Sequence, residues 1–183
     1  MEALLTSTVV VALAEMGDKT QLLSFVLAAK LKQKVPIVLG ILVATLANHF
    51  LAGYVGVWLA SLVSEQTLKW IVALSFFIFA VWALKPDKLE ENHKLRGTGV
   101  FLTTLVAFFL VEMGDKTQLA TVALAARYDS LVEVVLGTTL GMMLANIPAV
   151  WMGEALASRV NMKVMHRVAA GLFVLLGILA LAA

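Results

Sequence analysis

Long apolar runs separated by short polar links organise this chain. Six runs can be drawn, at 3–29, 35–62, 67–84, 99–126, 131–157 and 163–181. Each is about the length that a membrane-crossing helix needs, roughly 20 residues. The links are Lys30 to Lys34, Ser64-Glu65-Gln66, Arg127-Tyr128-Asp129-Ser130 and Ser158 to Met162. Lys85 to Arg96 is the one long polar stretch, proline-containing and mixed in charge, which reads as a solvated linker. The pattern predicts an all-α membrane protein with six transmembrane helices. Its expected parts are a first unit at 1–84, a linker at 85–97 and a second unit at 98–183.

Two runs break the apolar rule in the same way. Glu15-Met16-Gly17-Asp18-Lys19-Thr20-Gln21-Leu22 recurs, identical, as Glu112-Met113-Gly114-Asp115-Lys116-Thr117-Gln118-Leu119, an offset of 97. A charged side chain at mid-bilayer costs about 2.5–3.5 kcal/mol on insertion scales, and by default it marks an ion pathway. The repeat reaches further. At the same offset Ser24 matches Thr121, Lys30 matches Arg127, Gly40 matches Gly137, Gly56 matches Gly153 and Phe76 matches Phe173. Leu46-Ala47-Asn48 matches Leu144-Ala145-Asn146 with a one-residue slip. Two homologous units of three spans follow. Three is odd, so the second unit enters the membrane in the opposite sense, as inverted-topology repeats do, with a site expected near the midplane between them.

Composition agrees with the pattern. The chain is 61% hydrophobic, against about 45–50% for soluble domains, and its mean hydropathy is +0.95. Cysteine is absent, which removes disulfides and thiolate metal sites. The first eleven residues lack a positive n-region, so no cleavable signal peptide is expected. No Gly-rich phosphate loop or aromatic-interleaved basic patch is present, so nucleotides and nucleic acid are not expected partners. Net charge is only +2, but its distribution orients the chain. Lys30, Lys32, Lys34, Lys85, Lys88, Lys94, Arg96, Arg159, Lys163 and Arg167 fall on one side, and Lys69 and Arg127 on the other. The positive-inside rule makes the first side cytoplasmic and sends both termini out.

The motif's residue types point to hard cations. On a continuous helix, residues three apart share a face, so Glu15 is expected to project with Asp18 and Glu112 with Asp115. Carboxylate oxygens suit Mg²⁺, Ca²⁺ and Mn²⁺. Gly17 and Gly114 weaken the helix, and unwinding there would add backbone carbonyls. Gln21, Gln118, Asn48 and Asn146 could complete the shell, although buried amides also serve as plain interhelical hydrogen bonds. Four carboxylates and two lysines leave a formal charge of −2, which one divalent cation or two protons would neutralise. Lys19 and Lys116, four residues after Glu15 and Glu112, are spaced for intrahelical ion pairs. Thr20 and Thr117 adjoin the core of the motif. His49 has no counterpart in the second unit, where Ile147 follows Asn146; its functional reading is a ligand or proton relay. Met16, Met113, Met142 and Met143 read as packing, and Trp58, Trp70, Trp82 and Trp151 as interface residues.

The doubled E-M-G-D-K-T motif, on the first and fourth of six spans, resembles uncharacterised protein family 0016. That family of calcium/manganese cation exchangers is defined by two E-x-G-D-(K/R)-(S/T) motifs, and the resemblance covers nearly the whole chain. It implies that Glu15, Asp18, Glu112 and Asp115 bind the transported cation and that Lys19, Thr20, Lys116 and Thr117 support them. It also implies manganese export from a bacterial cell across the inner membrane, with no cofactor beyond the transported ion. The counter-ion would be H⁺, Na⁺ or K⁺. The near alternative is a Ca²⁺/H⁺ antiporter. A passive divalent-cation channel and an intramembrane aspartyl protease using Asp18 and Asp115 are more remote, since a protease needs neither the extra glutamates nor symmetric units.

Overall fold

The computed structural model describes residues 1–85, 99–152 and 162–182, and every regular element among them is an α-helix. These are α1 (Glu2–Glu15), α2 (Lys19–Leu31), α3 (Lys34–Leu62), α4 (Glu65–Ala83), α5 (Val100–Glu112), α6 (Lys116–Tyr128), α7 (Leu131–Met152) and α8 (Met162–Ala182). By length and composition α3, α4 and α7 can cross a membrane, while Val100–Glu112 and His166–Ala182 are shorter apolar helices. Most of the linker, Gly153, Glu154, Arg159 and the link at 158–161 lie outside the described residues.

The runs at 3–29 and 99–126 are not single helices, contrary to the sequence pattern. Each is interrupted at its motif, which divides it into α1 and α2 or α5 and α6. At 1.5 Å per residue each piece is about 20 Å long, short of the roughly 30 Å hydrocarbon core. Two pieces end to end would come to about 40 Å, longer than that core. The other links are tight. Lys32, at φ 55°, closes α2 by donating its N–H to the Ala28 carbonyl at 3.1 Å. Ser64 caps α4 by accepting from the Thr67 N–H at 3.3 Å.

Small residues let the helices approach one another, and the same contact occurs twice. Gly137 of α7 lies against the Leu4 carbonyl and Ser7 of α1, while Gly40 of α3 lies against the Phe101 carbonyl and Thr104 of α5. Every partner in the second contact is 97 residues from its partner in the first. Further along, Gly141 meets Thr8 and Ala12, and Asn48 meets Phe109, so both pairs of helices run parallel. The helices that flank each motif pack on the long helix that follows the other motif: α1 and α2 on α7, α5 and α6 on α3. Phe76 and Phe173, matched in the repeat, stack with ring centroids 6.3 Å apart where α4 meets α8. Glu2, Glu65, Lys69, Arg127 and Ala180 line one cavity of about 810 Å³, so the N-terminus, the α3–α4 and α6–α7 links and the end of α8 share one end of the bundle. There Arg127 donates to the Leu179 carbonyl at 3.5 Å. Lys34 joins the start of α3 to the end of α7, lying 4.9 Å over the Trp151 ring.

A Cβ on Gly141 would come within 2.5 Å of the Thr8 carbonyl oxygen and 2.8 Å of the Ala12 nitrogen of α1. Backbone cannot move aside as a side chain can, so Gly141→Val is expected to cost at least the ~1–3 kcal/mol of ordinary overpacking. Gly171, with open space around it, should accept alanine without loss. Thermal unfolding of the two variants in detergent, compared with the parent chain, checks this.

Candidate cation site at two helix breaks

Both breaks are type II β-turns. In the first, Met16 has φ −65° and ψ 112°, Gly17 has φ 86°, and the Asp18 N–H donates to the Glu15 carbonyl at 3.0 Å. In the second, Met113 has φ −60° and ψ 121°, Gly114 has φ 75°, and Asp115 donates to the Glu112 carbonyl at 3.0 Å. A type II turn needs positive φ at its third residue, which glycine provides without a steric penalty. Each glycine N–H is then taken by the glutamine four residues on. Gly17 donates to Gln21 Oε1 at 2.9 Å and Gly114 to Gln118 Oε1 at 2.6 Å.

The turn puts an acid at each cut helix end. Glu15 and Glu112 end α1 and α5; Asp18 and Asp115 are the N-caps of α2 and α6. A helix N-terminus carries a partial positive charge and favours the aspartates. The C-terminal ends beside the glutamates are partially negative and add to the attraction for a cation. The acids come together through the turn and not, as the sequence spacing implied, through a shared face of a continuous helix.

Glu15, Asp18 and Asp115, all buried, each offer an oxygen within 4.8 Å of the others. Glu112 lies outside that group, although it is close enough for its charge to act on Glu15. It meets α3 instead: Thr45 and Asn48 reach its Oε2 at 3.5 and 3.4 Å, and His49 Nε2 is 3.6 Å from its Oε1.

The lysines correct the expected intrahelical pairing. Lys19 Nζ lies 3.2 Å from Asp115 Oδ1, and Lys116 Nζ lies 3.3 Å from Asp18 Oδ1. Each lysine crosses to the aspartate of the other motif, because the turn removes the i, i+4 register that would bring it to its own glutamate. The two pairs differ in exposure: the Lys19 side chain is 24% exposed and that of Lys116 only 1%. With the aspartates so matched, the formal −2 rests on the glutamates. Thr20 donates to Glu15 Oε2, while Oε1 of both glutamates is buried with no hydrogen-bond partner among the described residues. Thr117 donates to Asp115 Oδ2 at 3.3 Å.

The amides divide. Asn48 sits beside Glu112, donates to the Phe109 carbonyl at 3.1 Å and accepts from Gln118 at 3.4 Å. Asn146 instead accepts from Ser24 at 2.7 Å and donates to the Met142 carbonyl at 3.0 Å. Gln21 completes its role as a brace by donating to the Ala145 carbonyl at 3.0 Å. Met113 is 56% exposed, so it does not pack inside the bundle. Thr45 escaped the sequence reading; its place three residues before Asn48, on the same helical face, was the available signal.

Paired acids buried at facing helix breaks, with charge left over for a cation, define an ion-translocating membrane protein. The chain belongs to the family described as "Divalent cation/proton antiporter GDT1", whose model matches residues 3–91 and 100–183. It is a family of transporters and not of enzymes, so the metal is cargo and the protease reading falls. The chain is 46% identical over 179 residues to a Vibrio cholerae protein named "Putative manganese exporter", covering 97% of this chain and 90% of the relative. It is 27% identical to GDT1-like protein 5 of Arabidopsis thaliana, covering 91% of this chain and 89% of the relative. No solved structure matches.

Two outcomes follow from the geometry. Open space surrounds a Cβ on Gly114, so any penalty there comes from φ alone, about 1–2 kcal/mol. Loss of thermal stability should rise from Gly114→Asn through Gly114→Ala to Gly114→Val. In a double-mutant cycle, Lys116→Met alone should destabilise by about 3–5 kcal/mol, since it strands a buried charge. The Asp18→Asn/Lys116→Met pair should recover most of that loss.

Proposed function

We propose that this chain exports Mn²⁺ across a bacterial inner membrane in exchange for protons, with Glu15, Asp18, Asp115 and Glu112 as the ion site. The observation that carries this reading is the buried three-carboxylate group held across two helix breaks in a divalent cation/proton antiporter family. The name of the Vibrio relative favours manganese. The all-oxygen character of that group also suits Ca²⁺, which keeps Ca²⁺/H⁺ exchange as the second reading.

The proposed architecture is six spans in two inverted repeats, at 1–84 and 98–183, joined by a cytoplasmic linker at 85–97, with both termini outside. In this scheme α1 with α2, and α5 with α6, each make one broken span. The doubled turn, the glycine contacts recurring at one offset and the stacked Phe76 and Phe173 support a two-fold relation. The excess of Lys and Arg on one side supports the orientation.

The exchange follows from charge. In the described conformation each lysine occupies Oδ1 of an aspartate, so an incoming cation competes with a tethered ammonium group for the same oxygens. One divalent cation or two protons cancel the charge left on the glutamates. Either loaded form can then rearrange inside the membrane, whereas the bare −2 form is penalised by the cost of unneutralised charge in hydrocarbon. Asn48 stands beside the ion path at Glu112. Gln21, Gln118 and Asn146 hold the turns and α7 in place.

In proteoliposomes, inward Mn²⁺ flux should drive proton efflux and alkalinise the lumen, and an imposed pH gradient should drive metal uphill. Glu15→Gln, Asp18→Asn and Asp115→Asn should each reduce flux at least ten-fold, as loss of a needed ligand does. Because the ligands must be deprotonated to bind metal, apparent Mn²⁺ affinity should fall as pH is lowered. Metal flux without proton movement would overturn the exchange; dependence on a Na⁺ gradient would replace the counter-ion; unsaturable flux would indicate a channel.

A further inference from the structure

His49 lies on α3, wholly buried, and neither of its ring nitrogens has a hydrogen-bond partner among the described residues. Its Nε2 faces Glu112 Oε1 across 3.6 Å, and that oxygen is also buried without a hydrogen bond. The gap exceeds the 2.7–3.2 Å of an N–H···O bond. Leaving a buried polar atom unsatisfied costs about 1–3 kcal/mol, and here two such atoms face each other. The other oxygen of Glu112 is engaged by Thr45 and Asn48, which orient the carboxylate. An imidazole lone pair and a carboxylate oxygen at this separation are both satisfied by one cation between them.

We propose that His49 is a nitrogen ligand of the transported cation, acting with Glu112, and that this nitrogen makes the site prefer Mn²⁺ to Ca²⁺. The proposal rests on the Mn²⁺ reading above and deepens it. The carboxylates do not discriminate between the two ions, since both accept hard oxygens. Imidazole does discriminate: it binds first-row transition ions, whereas Ca²⁺ takes oxygen. Mn²⁺ stands at the weak end of the Irving–Williams order, so one nitrogen among oxygens adds preference without an affinity that would prevent release. The repeat supplies this nitrogen once only, because Ile147 occupies the matching place on α7.

The test uses purified full-length protein with Mn²⁺ alone as probe. The sequence has three histidines, so a His93→Gln/His166→Gln variant leaves His49 as the sole imidazole. Pulsed electron paramagnetic resonance of its bound Mn²⁺ should show modulation from a directly coordinated ¹⁴N. Labelling histidine with ¹⁵N should convert that signal without any change at the site. In proteoliposomes, His49→Gln should lower the Mn²⁺-over-Ca²⁺ flux ratio roughly ten-fold, the scale of one disturbed metal-site group. Bound Mn²⁺ with an oxygen-only spectrum, or an unchanged ratio in a folded His49→Gln carrier, overturns the proposal while Mn²⁺ export stands. Parent protein that neither binds nor moves Mn²⁺ overturns the export reading itself.

Discussion

The structure depends on how six ionisable side chains are arranged inside an apolar bundle. Each aspartate is matched by a lysine from the opposite motif, at 3.2 and 3.3 Å. Breaking a buried pair is far costlier than never having made it, so the cross-pairs tie the two motifs together. They also concentrate the uncompensated charge on Glu15 and Glu112, the residues whose Oε1 atoms have no hydrogen bond among the described residues. Within one octapeptide the aspartate thus carries the ion pair between motifs, while the glutamate keeps an oxygen with no hydrogen bond among the described residues.

That division needs the type II turn. A continuous helix would bring each lysine back to its own glutamate, and the two motifs would share no ion pair. The glycine at positive φ cuts the helix, turns the aspartate into an N-cap and sends the lysine across. Glutamine oxygens then hold the glycine N–H groups at 2.9 and 2.6 Å, so that the cut leaves few backbone donors unpaired in an apolar setting. Close helix contacts at Gly40 and Gly137 hold α3 against α5 and α7 against α1, the helices that lead into the two turns.

Much of this was legible in the residues. The apolar runs, the doubled motif, its carboxylates and the weakness at Gly17 and Gly114 all follow from pattern and composition. The ion pairing was not legible, because spacing rules assume a helix that the motif itself interrupts. Asymmetry was also hidden. The repeat equates Asn48 with Asn146, yet Asn48 meets Glu112 while Asn146 is held by Ser24 and Met142. The repeat reports only likeness of sequence, while the difference between these amides arises from local packing. His49 stood out only as a place where the repeat fails, and the structure adds that it faces Glu112.

The crossing of charges between motifs has a consequence for biosynthesis. Asp18 and Lys19 leave the ribosome about a hundred residues before Lys116 and Asp115. At roughly 5–20 residues per second, the first motif waits some 5–20 s for its partners. During that interval α1 and α2 hold unmatched charges and lack α7, the helix on which they pack. The first motif therefore completes its ion pairs only after the second has been made. Maturation of this small carrier is, in that sense, the joining of two motifs made seconds apart.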